Sequence, residues 1–193
     1  LSISIEDILH FDSADYHDLV PFLEKNKQEL QKKIAKLQAY ISRIDERTKT
    51  IEKAANLEKE GFSIIQWQAP SIAPFPFSNP SFIHSYLENP QKTLVLFHLE
   101  GEGKVEYGYY SSKENLLRKK DEKKASYLQG LFWICAKDSQ SNIQSFVEEA
   151  KKHHYVGGNV IGEYLLTAGG EKKTDYYLGK MELLLAQGAN NEE

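Results

Sequence analysis

The feature that most constrains the fold is a helical repeat between Leu23 and Ala55. Leu23, Leu30, Leu37, Ile44 and Ile51 recur every seven residues, and Ile34, Ile41, Thr48 and Ala55 follow the last four of them by four residues. Alternating steps of four and three bring both series to one side of an α-helix as a narrow apolar seam. The residues between them are mostly Lys, Glu, Gln, Asp and Arg, which favour helix or solvent. At about 1.5 Å per residue such a helix is roughly 50 Å long, more than a small domain needs for its own core. A helix lying across its own domain is the simpler arrangement. A seam this long and narrow fits better against a second helix of the same kind. The residues expected in that contact are Leu30, Ile34, Leu37, Ile41, Ile44 and Ile51, and the expected partner is a second copy of the chain.

Around this helix the chain has room for one ordinary domain. Its 193 residues are 40% hydrophobic and 11% aromatic, the profile of a folded protein. A formal net charge of −4 gives no support for wholesale nucleic-acid binding by these residues. The single Cys135 excludes an internal disulfide framework and fits a reducing compartment, so a cytoplasmic location is expected. There is no run of about 18 apolar residues to span a membrane. The opening LSISIEDILHF does not read as a signal peptide, because no basic region precedes an apolar core.

Ser4 and the acids that follow it suggest a capped short helix, broken between Asp12 and Asp15. The long helix is expected from about Asp18, with Pro21 in its first turn, to about Leu57, with Gly61 ending it. Beyond Gly61 the period changes. Phe62 to Trp67 reads as an extended edge strand, and the prolines of QAPSIAPFPFSNP exclude a helix interior or a central strand. A short helix at Ser81 to Leu87, a strand at Thr93 to Leu99, a GEG turn and a strand at Val105 to Tyr110 complete the first half. Ser112 to Lys124 is a charged helix or loop, whose RKK and EKK runs read as a solvated face. The second half is a strand at Leu128 to Ala136, a helix from Asn142 to about His153 capped by Ser141, and strands at Val160 to Thr167 and Asp175 to Leu185. Gly157–Gly158 and Gly169–Gly170 read as turns. Both halves thus follow the order strand, helix, strand, strand. The fold class is α+β, an antiparallel sheet with helices on one face and the other face free to hold something.

The residues themselves supply few catalytic or metal signals. His153 and His154 point apart at a helix end, Cys135 has no CxxC or CxH partner, and no nucleotide-binding or hydrolase-elbow motif occurs. No metal, cofactor or catalytic residue is expected. The aromatic residues are dense, and core packing accounts for at least half of them. Strand alternation further prevents Phe132 and Trp133 from facing the same side. Glu163 is the most informative residue, because it interrupts an otherwise apolar strand, VIGEYLLT. A carboxylate there is costly unless it is paired or hydrogen-bonded. A partner in Lys180, an edge position facing water, and a place in a ligand cleft all remain open.

ISIEDILHF followed by LQKKIAKLQAYISRIDERTKTIEKA resembles the region after the winged-helix DNA-binding domain in MerR-family transcriptional regulators, a short helix and then the dimerising coiled-coil helix. FWICAKDSQSNIQSFVEEAKKHHYVGGNVIGEYLLTAGG, continued by DYYLGKMELLL, is similar to the second half of a GyrI-like effector-binding domain. The resemblance implies a short helix at 1–14 after a missing DNA-binding domain, a dimerisation helix at 15–59 that carries the apolar seam, and an effector domain at 60–193. It implies two strand–helix–strand–strand units around a ligand cleft, a homodimer with antiparallel helices, and DNA contact only through the absent domain. Multidrug-sensing members hold hydrophobic cations with a buried acid among tyrosines, and the resemblance places that acid near Glu163. The ligand-binding residues expected on this basis are Glu163, Tyr109, Tyr110, Trp133, Tyr164, Tyr177 and Phe77. The implied role is sensing a small lipophilic, cationic effector without catalysis. The alternatives are a small-molecule hydrolase with Glu163 as general base and a module that binds a protein partner.

Overall fold

The computed structural model describes residues 16–100, 104–112, 115–169 and 173–185. The expected helix at Ser4, the break at Asp12 to Asp15, the GEG turn and Gly170 lie outside the described residues. The chain divides into two compact units, Leu1–Thr48 and Lys49–Glu193.

Helix α1 spans Tyr16–Glu60. It is already helical at Tyr16, the first described residue, so Pro21 lies beyond the first turn expected to hold it. It ends where expected in kind, because Gly61 adopts φ +73° and its N–H donates to the Leu57 carbonyl at 3.0 Å. That left-handed cap is inexpensive only for glycine. Within the first unit the seam residues Leu30, Ile34, Leu37, Ile41 and Ile44 are 43–62% exposed, and Ile51 is equally open. Among the described residues no helix is long and apolar enough to cross a membrane.

The second unit is α+β. Its strands are β1 (Ser63–Trp67), β2 (Ile72–Pro74), β3 (Leu94–Phe97), β4 (Val105–Tyr110), β5 (Ala125–Cys135), β6 (Tyr155–Ala168) and β7 (Thr174–Leu185). Helix α2 (Pro80–Glu88) and a 3-10 turn (Pro90–Lys92) precede β3, and α3 (Ile143–Lys152) lies between β5 and β6. All seven strands form one sheet in the order β1-β5-β7-β6-β3-β4-β2, with antiparallel pairings throughout. Two equivalent blocks are visible in that order. The block β2-α2-β3-β4 pairs as β2-β4-β3, and the block β5-α3-β6-β7 pairs as β5-β7-β6. They join through the antiparallel β3–β6 pair.

The doubled order read from the sequence is therefore present with one correction. The first strand of the first block is β2, inside the proline cluster, and not Phe62 to Trp67. The latter forms β1, an extra strand on the far edge against β5. β2 tolerates Pro74 because it lies at the sheet edge, with β4 on one side and on the other only a single bridge between Ile72 and Arg118.

Successive residues of each strand face opposite sides. On one side Phe97, Phe132, Tyr177 and Met181 pack with Phe146 and Ala150 of α3. Gly130, Gly179 and Gly162 are register neighbours across β5, β7 and β6 on this side. A Cβ on Gly179 would meet Phe132 Cβ at 2.5 Å and Phe146 Cζ at 3.0 Å, so the glycines make room for the rings above them. On the other side Leu94, Leu96, Tyr127 and Ile161 form a second cluster, and Ala54 and Leu57 from the end of α1 pack on Leu165 and Leu178. Both faces are thus covered, and the expected free face is absent.

Three local expectations also change. Gly157 and Gly158 lie within β6 at a register shift, not in a turn: a Cβ on Gly157 would meet Met181 Sδ at 2.6 Å. The described part of 112–124 carries no helix, and Arg118 there is not solvated. Its side chain is 13% exposed and donates to Glu182, Asp121 and the Tyr127 hydroxyl. Ser141 Oγ accepts from the Ile143 N–H at 3.4 Å as a capping serine would, while Asn142 takes the N-cap backbone position and turns its side chain to β5. It accepts from Trp133 N–H at 2.9 Å and donates to the Leu131 carbonyl at 2.8 Å, serving the stretch of that strand which β1 does not reach.

Candidate functional site

A cavity of about 300 Å³ opens on the α2–α3 side of the sheet. Its floor comes from alternate residues of neighbouring strands: Asp175 and Tyr177 of β7, Tyr164 of β6, Val95 of β3 and Tyr107 of β4. Tyr86 enters from α2, and Phe75 and Phe77 come from the segment after β2. That segment has the sequence PFPF. Prolines 74 and 76 have no amide to donate, and the intervening Phe75 N–H holds the strip to the Tyr107 carbonyl at 2.8 Å. The two phenylalanine rings lie 4.8 Å apart, and Phe77 meets Tyr107 edge-on at 5.8 Å. The proline cluster thereby becomes an aromatic wall.

Asp175 gives the cavity its charge. Its Oδ1 accepts from Thr167 Oγ1 at 2.5 Å, and Thr167 Oγ1 also shares a hydrogen bond with the Tyr164 hydroxyl at 2.8 Å. No Lys, Arg or His pairs with Asp175 among the described residues. Burial pushes the Tyr177 phenol well above its ordinary range, and Asp175 adds to the shift. Burial likewise raises Tyr107, with Asp175 again contributing. Tyr86 is raised by burial, then by Tyr164 and Asp175. These three phenols stay neutral, so among the described residues the carboxylate is the one anionic group bordering this cavity.

A neighbouring cavity of about 410 Å³ lies between α2, the 3-10 turn and β4. Phe75, Tyr86 and Thr93 border both spaces, so they form a shared wall. The second space is lined by Phe82, Tyr109 and Tyr110, with Ser85, Asn89, Gln91 and Lys92 at its polar margin. A third, shallower hollow of about 300 Å³ lies where Lys53 of α1 and Lys92 meet Glu163, Tyr110 and Leu165.

The expected ligand residues are therefore divided. Tyr164, Tyr177 and Phe77 border the Asp175 cavity, and Tyr109 and Tyr110 border its neighbour. Glu163 does not join Tyr109 and Tyr177. It points to the opposite face, where Lys180 donates to it at 2.6 Å and Tyr110 at 2.7 Å. Lys180 also stacks 4.0 Å from the centre of the Trp67 ring. Trp133 borders none of the three cavities, because Phe132 beside it takes the α3-facing side. Asp175, Tyr86 and Phe75 were missed as site residues. Parity could have found the first, since Asp175 stands two residues before Tyr177 and so shares its face.

Among the described residues no group of three or more His, Cys, Asp or Glu stands where a metal ion could be held. No protein-family model matches the chain, and neither a curated protein nor a solved structure is detectably similar to it.

Proposed function

We propose that the second unit is a small-molecule-sensing domain of the GyrI-like kind that binds a lipophilic cation, and that α1 is the dimerising helix of a MerR-type transcriptional regulator. The observation that carries this reading is the Asp175 carboxylate, which has no basic partner among the described residues and faces an aromatic-walled cavity. A carboxylate in such surroundings favours a ligand that brings positive charge, and tyrosine and phenylalanine faces add cation–π attraction. The two strand–helix–strand–strand blocks and the exposed seam of α1 support the same reading. Ligand burial would then act by favouring one arrangement of the paired helices over another.

Thermal-shift screening of lipophilic cations against neutral molecules of the same size tests the reading. Cations should stabilise the protein, and Asp175→Asn should remove most of that stabilisation while leaving the effect of neutral compounds. A screen without cationic hits, or hits indifferent to Asp175→Asn, overturns it. Assaying each hit for turnover separates sensing from catalysis.

A further inference from the structure

Tyr177 is only 3% exposed, yet its hydroxyl makes no hydrogen bond with any described residue. Among the described residues no buried side-chain nitrogen or oxygen lacks a partner, so the Tyr177 hydroxyl is the part of this buried residue that opens to the cavity and is free to meet a ligand. The Tyr86 and Tyr107 hydroxyls beside it also have no partner among the described residues, although both residues are open to solvent. Asp175 uses Oδ1 for Thr167 and has no donor on Oδ2 among the described residues. Thr93, on the shared wall, spends its own proton on the Pro90 carbonyl at 2.6 Å and leaves its oxygen as an acceptor. None of the side chains bordering this cavity carries an N–H group.

The cavity thus presents two oxygens that can only accept, on Asp175 and Thr93, beside phenol hydroxyls that can donate or accept, and no N–H donor among its side chains. A quaternary cation would answer the charge but donate no hydrogen bond to the Asp175 and Thr93 oxygens. An ammonium with N–H groups answers both, and sites built to hydrogen-bond a ligand reject analogues that lack the donor. The adjoining space of about 410 Å³, walled by Phe75, Phe82 and Tyr109, is suited to a hydrocarbon chain rather than to a second charge. We infer that the ligand is a primary or secondary amine, protonated, with an extended apolar tail: the ammonium lies at Asp175 and Tyr177, and the tail passes Tyr86 into the neighbouring cavity. This rests on the cation-sensing reading above and specifies the cation.

Calorimetric titration of the full chain with octylamine, octyltrimethylammonium, 1-octanol and butylamine near neutral pH tests it. Octylamine should bind at least about ten-fold more tightly than its trimethylated form, the size expected for unmatched buried hydrogen-bonding groups. Tyr177→Phe keeps the ring and removes a hydroxyl that no protein group uses, so it should weaken octylamine several-fold and leave octyltrimethylammonium unchanged. Ser85→Phe fills the neighbouring cavity from exposed α2 and should bring octylamine down to the affinity of butylamine. Equal binding of octylamine and octyltrimethylammonium, both above 1-octanol, overturns the hydrogen-bonded ammonium and leaves cation sensing standing. Failure of both cations to exceed 1-octanol overturns both readings. Octylamine binding unaltered by Ser85→Phe overturns the placement of the tail.

Discussion

Lys180 Nζ lies 2.6 Å from Glu163 Oε1, one strand across the sheet and on the face turned away from α3. The lysine side chain is 8% exposed and the glutamate 27%, so the pair is largely removed from water. Each charge answers the other, and Tyr110 and Trp67 complete the surroundings. This is a structural ion pair on the side of the sheet that carries the end of α1.

Glu163→Gln should therefore reduce stability rather than ligand affinity. It leaves a mostly buried ammonium without its counter-charge, and the loss should be about 1–3 kcal/mol, below the range for fully buried pairs because Glu163 is partly open. Urea unfolding measures it. Unchanged stability combined with lost cation binding would return Glu163 to the ligand site.

The Arg118 cluster predicts the acid limb of the stability curve. Burial alone would raise the Asp121 carboxyl, but hydrogen bonds from the Tyr127 hydroxyl, the Ala69 N–H and Arg118 outweigh it and hold the group below its ordinary range. A lowered folded value means that ionised Asp121 contributes stability above about pH 4, the unfolded-chain value, and that the contribution disappears as pH falls through the folded value. Thermal unfolding of Asp121→Asn across pH 2 to 6 should show a flatter acid limb than the unsubstituted protein. Parallel curves would rule out this linkage.

Gly179→Ala places a methyl where Phe132 Cβ would be 2.5 Å away and the tip of Phe146 3.0 Å away. Overpacking of this kind costs about 1–3 kcal/mol. The neighbouring backbone of β7 cannot yield easily, because β5 and β6 hold it on both sides. Chemical denaturation should show the loss, and a neutral outcome would mean that α3 lifts from the sheet without penalty.

Pairing of α1 is tested by replacing Leu37 and Ile41, 59% and 58% exposed in the single chain, with lysine together. Two lysines facing a partner's seam would have to be desolvated or splay the helices. Light scattering should fall from the mass of a dimer to that of a monomer. A wild-type mass in the double variant would place the contact elsewhere.

Much of the architecture was legible in local pattern. The seven-residue repeat gives α1, Gly61 gives its end, and the apolar spacing of Phe146 and Ala150 gives the buried face of α3. Those signals depend on neighbours within a few residues, where helical period and turn chemistry operate. The three residues of β2 were not legible, because a strand between prolines shows no alternation and exists only through distant partners, β4 along its length and Arg118 at Ile72. Which acid enters the cavity was also beyond local reading. Alternation states that Asp175 and Tyr177 share one face and that Lys180 takes the other, but it does not say which face receives α2 and α3. Glu163 stood out because apolar residues flank it in the chain, while Asp175 followed a turn and looked like an ordinary polar strand end. Only the order of strands brings Lys180 beside Glu163 and leaves Asp175 among tyrosines, since the partner of a charge is chosen by long-range packing and not by its neighbours in sequence.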